Sequence, residues 1–209
     1  MSVLLKIVLV LAIVCFAAAV VGTLVSLRRV TRQYTVVTDK IAAGSLRLIL
    51  ISDLHAMRYG KKQEHLLSEI AALKPDLLLF AGDVLAEDKD RAPALELLEA
   101  LGKSYPCYYV TGNHEYRSGK PDEVREIVRS YGITVLCGTS VLCDTACGQI
   151  RIAGIDDLQE AGFDGALAQA ETALNNDDGV FTVFLCHHPE LSVRFAEEYG
   201  KAFDLALSG

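Results

Sequence analysis

Four short apolar runs stand out in the hydrophobic pattern of the chain, and each one ends abruptly at polar side chains. They occupy residues 46–51, 77–81, 108–111 and 180–185. Continuous apolar runs of this length predict strands that are buried on both faces, as in a parallel sheet covered by helices. Open α/β sheets keep their chemistry beyond the carboxyl ends of such strands. The polar residues that follow the runs are therefore expected to meet at one edge.

The segments between the runs have the periodicity of amphipathic helices. Apolar residues recur there every three or four positions, with charged residues on the opposite face. Five segments fit helices that would cover a sheet: residues 62–73, 92–101, 121–131, 161–174 and 189–199.

The spacing of the first polar residues predicts repeated strand–helix–strand units. Asp53, Asp83 and Asn113 follow one another at intervals of thirty residues, which is enough for one strand, one crossover helix and two loops. After residue 131 short strands predict a hairpin region instead, followed by a final buried strand. The short strands are expected at 133–136, 141–143 and 150–155, and the final strand at 203–208.

The amino-terminal part of the chain contains a long apolar segment, residues 7–27, without a charged residue. As a helix it would span about 31 Å at ~1.5 Å per residue, enough to cross the core of a bilayer. A cleavable signal peptide is the main alternative, because Lys6 precedes the segment and small residues lie within it. Since the apolar run is longer than a signal core, we expect an uncleaved single-pass anchor at 1–32, a linker at 33–45 and a catalytic domain at 46–209.

The net charge of the chain and the position of its basic residues indicate which classes of partner it can bind. The net charge of −7 disfavours a nucleic-acid-binding function. The one basic cluster, at residues 28–32, flanks the apolar segment and is expected to meet lipid headgroups of the cell membrane. Because this cluster outweighs Lys6 and the amino terminus, the positive-inside rule favours a cytoplasmic catalytic domain by a narrow margin.

The six cysteines leave two interpretations open. No CxxC pair occurs, and no histidine lies near the cluster of Cys137, Cys143 and Cys147, so neither a zinc knuckle nor a redox motif is indicated. The thiols are either buried packing residues or, if the domain lies outside the cell, partners in a hairpin disulfide. A thiol-based redox function is therefore the weakest hypothesis.

The polar residues at the strand ends form four motifs in order: Asp53-x-His55, Gly82-Asp83, Gly112-Asn113-His114-Glu115 and a later His187. This set resembles the calcineurin-like metallophosphoesterase superfamily, and the apolar segment makes the chain similar to its membrane-anchored bacterial phosphodiesterase branch. The resemblance covers residues 46–209. It implies an α/β fold, a layered β-sheet sandwich flanked by helices and preceded by one transmembrane helix. The family pattern ends in Gly-His-x-His, of which the chain holds only Gly209, so we expect a C-terminally incomplete domain that lacks two histidine ligands.

The resemblance implies a metal-binding role for five residues. Asp53 and His55 would bind the first of two divalent ions, and Asp83 would bridge both ions. Asn113 and His187 would bind the second ion. The mixed nitrogen and oxygen donors suit manganese, iron or zinc.

The resemblance also implies how the reaction would proceed. His114 would act from outside the coordination sphere, as the catalytic acid that serves the leaving oxygen. A hydroxide formed from a water between the two ions would attack phosphorus in line. Of the neighbouring residues, His188 is expected to be exposed and without a ligand role. Glu115 is expected either to line the mouth of the pocket or to pack at the start of a helix.

These expectations combine into a metal-dependent phosphoesterase, anchored in the membrane, that hydrolyses phosphodiester or pyrophosphate bonds. The anchor favours a phosphate ester that is lipid-linked or belongs to the cell envelope. Loops at 58–62, 87–91 and 117–122 are expected to set specificity. The alternative is a truncated, non-catalytic relative that binds a ligand or a partner at the membrane.

Overall fold

The computed structural model describes residues 2–26, 30–41, 44–86, 90–175, 178–200 and 202–209. The chain forms two compact units, Met1–Val37 and Thr38–Gly209, and each is described by itself. Some residues singled out in the sequence lie outside the described ranges. They are Leu27 at the end of the apolar segment, Arg28 and Arg29 of the basic cluster, and residues 87–89 of one predicted specificity loop.

The first unit contains one long apolar helix, α1 (Val3–Ser26). Its stretch Val3–Gly22 has 20 residues and a mean hydropathy of 3.0, and none of it is buried. A helix of this length spans about 30 Å at ~1.5 Å per residue, which matches the core of a bilayer. The helix therefore has the length and composition of a membrane span, which a signal sequence near the amino terminus also has.

The first half of the second unit alternates strands and helices. Its four strands form a parallel sheet in the order β1-β2-β3-β4, because the intervening helices supply the crossovers that parallel neighbours require. The elements are β1 (Leu48–Ile51), a 3-10 turn at Lys61–Gln63, α2 (Glu64–Leu73), β2 (Leu77–Ala81), α3 (Ala92–Gly102), β3 (Cys107–Val110), α4 (Asn113–Arg117), α5 (Pro121–Ser130) and β4 (Thr134–Val135).

The second half of this unit forms a mixed sheet in the order β5-β6-β7-β8. Its first two strands are an antiparallel hairpin, and the other neighbours are parallel. The elements are β5 (Thr139–Thr145), β6 (Gly148–Gly154), α6 (Leu158–Leu174), β7 (Phe181–Leu185), α7 (Pro189–Tyr199) and β8 (Leu205–Leu207).

The predicted hairpin region is correct for one pair of strands and wrong for another. β5 and β6 form the hairpin, but β4 pairs with β3 in the first sheet, in parallel. Helix α5 returns the chain to the edge of that sheet, where Ile133 and Leu136 on either side of β4 are buried. A strand of two residues carries too little pattern to reveal its partner from the sequence.

The two sheets pack face to face, and helices cover their outer faces. Successive residues of a strand point to opposite faces, so Leu79 enters the core between the sheets while Phe80 enters the core under α2, α3 and α5. A third core lies between the second sheet and helices α6 and α7. The expected α/β architecture of layered sheets flanked by helices is therefore confirmed.

The six cysteines, all of which lie in described residues, are free thiols. Cys107, Cys147 and Cys186 are buried, and Cys137 and Cys143 are partly exposed. Burial raises the pKa of the Cys107 thiol to about 12 and that of Cys186 to about 11. A thiol that stays protonated is neither a nucleophile nor a metal ligand, so these two side chains serve as packing residues.

Candidate metal centre

Two strained loops follow β1 and β2 at the carboxyl edge of the first sheet. Asp53, His55 and Asp83 have φ angles of 52°, 47° and 54°. This left-handed conformation costs a non-glycine residue about 1–3 kcal/mol and is retained where the surroundings hold it, often at functional sites. Here the loops hold each other, because the N–H of Asp53 donates to the Gly82 oxygen at 3.2 Å and that of His55 to the Asp83 oxygen at 2.9 Å.

Two glycines allow these loops to approach their neighbours closely. A Cβ on Gly82 would lie 2.7 Å from Gly112 Cα and 2.8 Å from His187 Nδ1. A Cβ on Gly112 would overlap the Asp83 carboxylate. A side chain at either position would therefore push the ends of β2, β3 and β7 apart.

Asp83 lies at the centre of the candidate site. Three imidazole Nε2 atoms surround its Oδ2: His187 at 3.4 Å, His114 at 3.9 Å and His55 at 4.0 Å. Asp53 adds a second carboxylate, with Oδ1 at 3.8 Å from the Nε2 of His55. The donor atoms form two groups that share Asp83, and within each group they lie within 4.8 Å of one another. The groups are His55, Asp83 and His114, and Asp53, Asp83 and His187.

Both groups fit a divalent metal ion. Each combines imidazole nitrogen with carboxylate oxygen, a donor set that suits zinc, manganese or iron. Asp53 and Asp83 place two carboxylates in one group, where a cation relieves their mutual repulsion. A carboxylate shared by both groups is what a bridge between two ions requires.

Five of the six predicted site residues belong to these groups. The sixth, Asn113, is the first residue of α4 and is partly exposed. The grouping differs from the sequence expectation, because His114 lies with His55, and Asp53 lies with His187. The assignment of each residue to one ion, and the role of His114 outside the coordination sphere, stay predictions.

The contact between His187 and Asp83 determines the electrostatics of the site. His187 Nδ1 donates to the Ala81 carbonyl oxygen at 2.8 Å, which leaves Nε2 facing Asp83. Burial alone would lower the pKa of His187, but the Asp83 carboxylate and the Ala81 carbonyl raise it to about 9. Burial alone would raise the pKa of Asp83, but His187 and the backbone N–H of His114, 2.8 Å from Oδ1, lower it. The two side chains are therefore an ion pair in the metal-free protein.

Glu115 is a buried organiser of the site and does not line the mouth of a pocket. Its side chain is almost fully buried, and it accepts four hydrogen bonds. The donors are the N–H groups of Asp83 at 2.9 Å, Leu85 at 3.0 Å and Gly112 at 2.8 Å, and the hydroxyl of Tyr109 at 2.9 Å. Burial raises the pKa of Glu115, and the donated hydrogen bonds oppose that rise. This carboxylate ties the loop after β2 to the loop after β3. Its position three residues after Gly112, the N-cap of α4, is the signal in the sequence for this role.

His188 is not the simple exposed residue that the sequence predicts. Its side chain is 24% exposed, and its Nε2 lies 2.8 Å from Oδ2 of Asp157, whose side chain is fully buried. Its Nδ1 lies 3.2 Å from Oε1 of Glu190. The contact with Asp157 has no signal in the sequence, because Asp157 follows β6 and meets His188 only after the second sheet has formed.

We expect Glu115→Ala to lower the free energy of unfolding by about 2–5 kcal/mol, because four donors lose their buried acceptor. Urea unfolding measures the change. The matched control is Glu123→Ala on α5, which removes a half-exposed carboxylate that pairs with Lys120, the residue before that helix. This change is expected to cost less than about 0.5 kcal/mol. Equal stabilities of the two variants would contradict the organising role of Glu115.

The Asp83–His187 pair predicts how the stability of the metal-free protein changes with pH. His187 has a pKa of about 9 in the folded protein against an ordinary value of 6.5. The stability that the His187 imidazolium adds to the folded protein is therefore fully present below its ordinary pKa. That stability is lost as the pH rises through about 9. In the presence of a chelator, we expect the melting temperature of the wild type to fall more between about pH 7 and about pH 10 than that of His187→Asn. His65→Asn, on the exposed side of α2, should behave like the wild type, and a parallel decline in all three proteins would contradict the pair.

Comparison with known proteins agrees with this geometry. The calcineurin-like phosphoesterase family matches residues 46–209. A Danio rerio transmembrane protein with metallophosphoesterase domain is 28% identical over 176 residues, which cover 79% of this chain and 40% of that protein. An uncharacterized metallophosphoesterase of Campylobacter jejuni is 27% identical over 173 residues, which cover 78% of this chain and 43% of that protein. The chain therefore spans less than half the length of these two relatives.

A solved structure has the same fold. The structure of the NAD nucleotidase of Haemophilus influenzae matches this chain with a TM-score of 0.53 and 16% sequence identity. The match covers 78% of this chain and 38% of the nucleotidase chain. Likeness at this level of identity shows the fold alone. The family match, by contrast, extends over every strand end that carries a donor residue. The chain belongs to the calcineurin-like phosphoesterase family.

Proposed function

We propose that the chain hydrolyses phosphodiester or pyrophosphate bonds with two divalent metal ions. The observation that carries this proposal is the buried carboxylate of Asp83, which both donor groups share. Membership of the calcineurin-like phosphoesterase family supports a metal-dependent phosphoesterase. The two-ion arrangement and the kind of ester are the parts we add.

The proposed site divides its tasks among a few side chains. His55, Asp53 and His187 would hold the ions together with Asp83, and Asn113 would add an amide oxygen. When bound, the ions neutralise the phosphoryl oxygens and lower the pKa of a water molecule. The protein contributes fixed positions, since the Ala81 carbonyl and the backbone of α4 already orient the donors before a substrate arrives.

Although the donor atom of His114 lies with those of His55 and Asp83, we propose that this imidazole stays outside the coordination sphere and holds a proton for the leaving oxygen. Its Nδ1 is buried and has no hydrogen-bond partner among the described residues, whereas its Nε2 faces Asp83. Nε2 is therefore the nitrogen that can donate a proton to the oxygen leaving phosphorus. The ring of His55 packs edge-on against His114, with 4.6 Å between centroids, and this contact restricts rotation of the imidazole.

We propose a lipid-linked or cell-envelope phosphate ester as the substrate. An enzyme held by α1 would work at a membrane surface, where such esters are concentrated, and one relative is named a transmembrane protein. The net charge of −7 supports a small ester over a nucleic acid, because the chain would repel a polyanion.

We further propose that α1 is an uncleaved single-pass anchor in the cell membrane, with the second unit on the cytoplasmic side. The exposed apolar surface of Val3–Gly22 supports the anchor. The basic residues after the apolar segment support the cytoplasmic side by a narrow margin over Lys6 and the amino terminus, by the positive-inside rule.

We expect Asp83→Asn to lower the manganese-dependent hydrolysis of bis-p-nitrophenyl phosphate at least about 100-fold, because an amide cannot replace a bridging carboxylate. Metal content, measured by mass spectrometry of the purified protein, should fall with it. The matched control is Asp144→Asn on the exposed β5–β6 hairpin, which should leave both values unchanged. Wild-type metal content in Asp83→Asn would rule out the bridge, and an inactive wild type that binds no metal would favour the non-catalytic alternative.

We expect the double substitution Val10→Arg with Val14→Arg to move the protein from the membrane pellet to the soluble fraction after alkaline carbonate extraction. Each arginine adds about 2.5–3.5 kcal/mol to the cost of insertion at the centre of a span. The control is the double substitution Val36→Arg with Val37→Arg, at positions beyond the end of α1. This variant should stay in the membrane pellet. Mass spectrometry of the intact protein tests cleavage, and a chain shortened within α1 would identify a signal peptide instead of an anchor.

A further inference from the structure

A chain of buried polar contacts joins the donor loops of the two sheets. Thr111 directly precedes the loop that carries Asn113, at the end of β3. Its Oγ1 donates to Asp156 Oδ1 at 2.5 Å and accepts the N–H of Asp157 at 3.2 Å. Thr111, Asp156 and Asp157 are all buried. Because the two acidic residues follow β6, these contacts cross from the first sheet to the second.

Asp157 extends the connection to the loop after β7. Its Oδ2 lies 2.8 Å from His188 Nε2, although the contact lacks the angle of a good hydrogen bond. Its Oδ1 accepts the N–H of Gln159 at 3.0 Å and so caps the start of α6. The carboxylate is therefore held by a helix on one side and meets an imidazole on the other.

The place of His188 constrains that of His187. The two residues are consecutive, and their rings meet nearly edge-on with 5.3 Å between centroids. His188 turns to Asp157, and His187 turns to Asp83, with 9% of its side chain exposed. A fully buried carboxylate is costly unless a polar group lies close to it, and His188 Nε2 lies 2.8 Å from Asp157 Oδ2, so this contact favours one position of the His188 ring. Since the two residues are consecutive, the contact helps to fix the backbone that carries His187, whose carbonyl oxygen also accepts the N–H of Gly209 at 3.0 Å.

We propose that the contact between Asp157 and His188 is a positioning element of the metal centre. It fixes His187, a donor from the second sheet, relative to the segment after β3, which belongs to the first sheet and carries Asn113. Neither Asp157 nor His188 is itself a ligand. The effect on metal affinity rests on the proposed two-ion function, whereas the effect on the loops does not.

The first readout is the affinity of the full chain for manganese, measured by isothermal titration calorimetry. We expect Asp157→Asn and His188→Ala each to weaken the binding about 10–100-fold, as loss of a partner behind a ligand does in other metal sites. The double variant should be no weaker than the worse single variant, because either change breaks the same contact. His188→Gln, which keeps a donor at a similar reach, should recover most of the affinity.

Glu190→Ala is the matched control. Glu190 touches the other nitrogen of His188 from the solvent side and is 67% exposed, so its loss should change the affinity less than about twofold. Wild-type affinity in both Asp157→Asn and His188→Ala would overturn the proposal. So would an equal loss in Glu190→Ala, or the absence of rescue by His188→Gln.

Amide hydrogen exchange of the metal-free protein separates this inference from the proposed function. We expect His188→Ala to speed exchange in residues 111–113 and 186–188 together, although these segments belong to different sheets. If the wild type bound no manganese, the two-ion function would fail, and the exchange result would still decide the inference. Exchange at the wild-type rate in either segment would overturn it. Because His188 is partly exposed, its variants are expected to fold. They provide the test if Asp157→Asn does not fold.

Discussion

The site depends on the burial of one carboxylate, that of Asp83, at the end of β2. Removing a carboxylate from water costs several kcal/mol unless hydrogen bonds and opposite charge compensate. The compensation comes from the N–H of His114, after β3, and from the imidazole of His187, after β7. The chain cannot satisfy this carboxylate without bringing three strand ends from two sheets together. The same convergence brings together the donors that the proposed pair of metal ions would use.

Glu115 and Asp157, two of the other buried carboxylates, organise the scaffold and take no part in the proposed chemistry. Glu115 joins the loops after β2 and β3 within the first sheet. Asp157 joins the loop after β6 to the loop after β7 in the second sheet, and Thr111 connects this pair to the first sheet. The backbone of Asp53 and His55 is held instead by hydrogen bonds to the Gly82 and Asp83 carbonyl oxygens, while the Asp53 side chain is exposed and that of His55 partly exposed.

The sequence predicts those features that depend on neighbours along the chain. Apolar runs locate the long strands, and the polar residues at their ends locate Asp53, Asp83 and His187, because parallel strands present their carboxyl ends at one edge. Features that depend on residues far apart in the chain cannot be predicted from the sequence in this way. The partner of β4, the buried position of Glu115 and the contact of His188 with Asp157 arise only when the sheets close. The way in which His114 and Asp53 group with the other donors is likewise a product of packing, which no spacing in the chain reveals.

The most direct test of the central claim is the electron paramagnetic resonance spectrum of the full chain loaded with manganese. If the carboxylate of Asp83 bridges two ions, the spectrum will be that of an exchange-coupled pair, and it will convert to that of isolated ions in Asp83→Asn. A wild-type spectrum that shows only isolated ions, at full metal loading, would contradict the shared carboxylate and with it the two-ion mechanism.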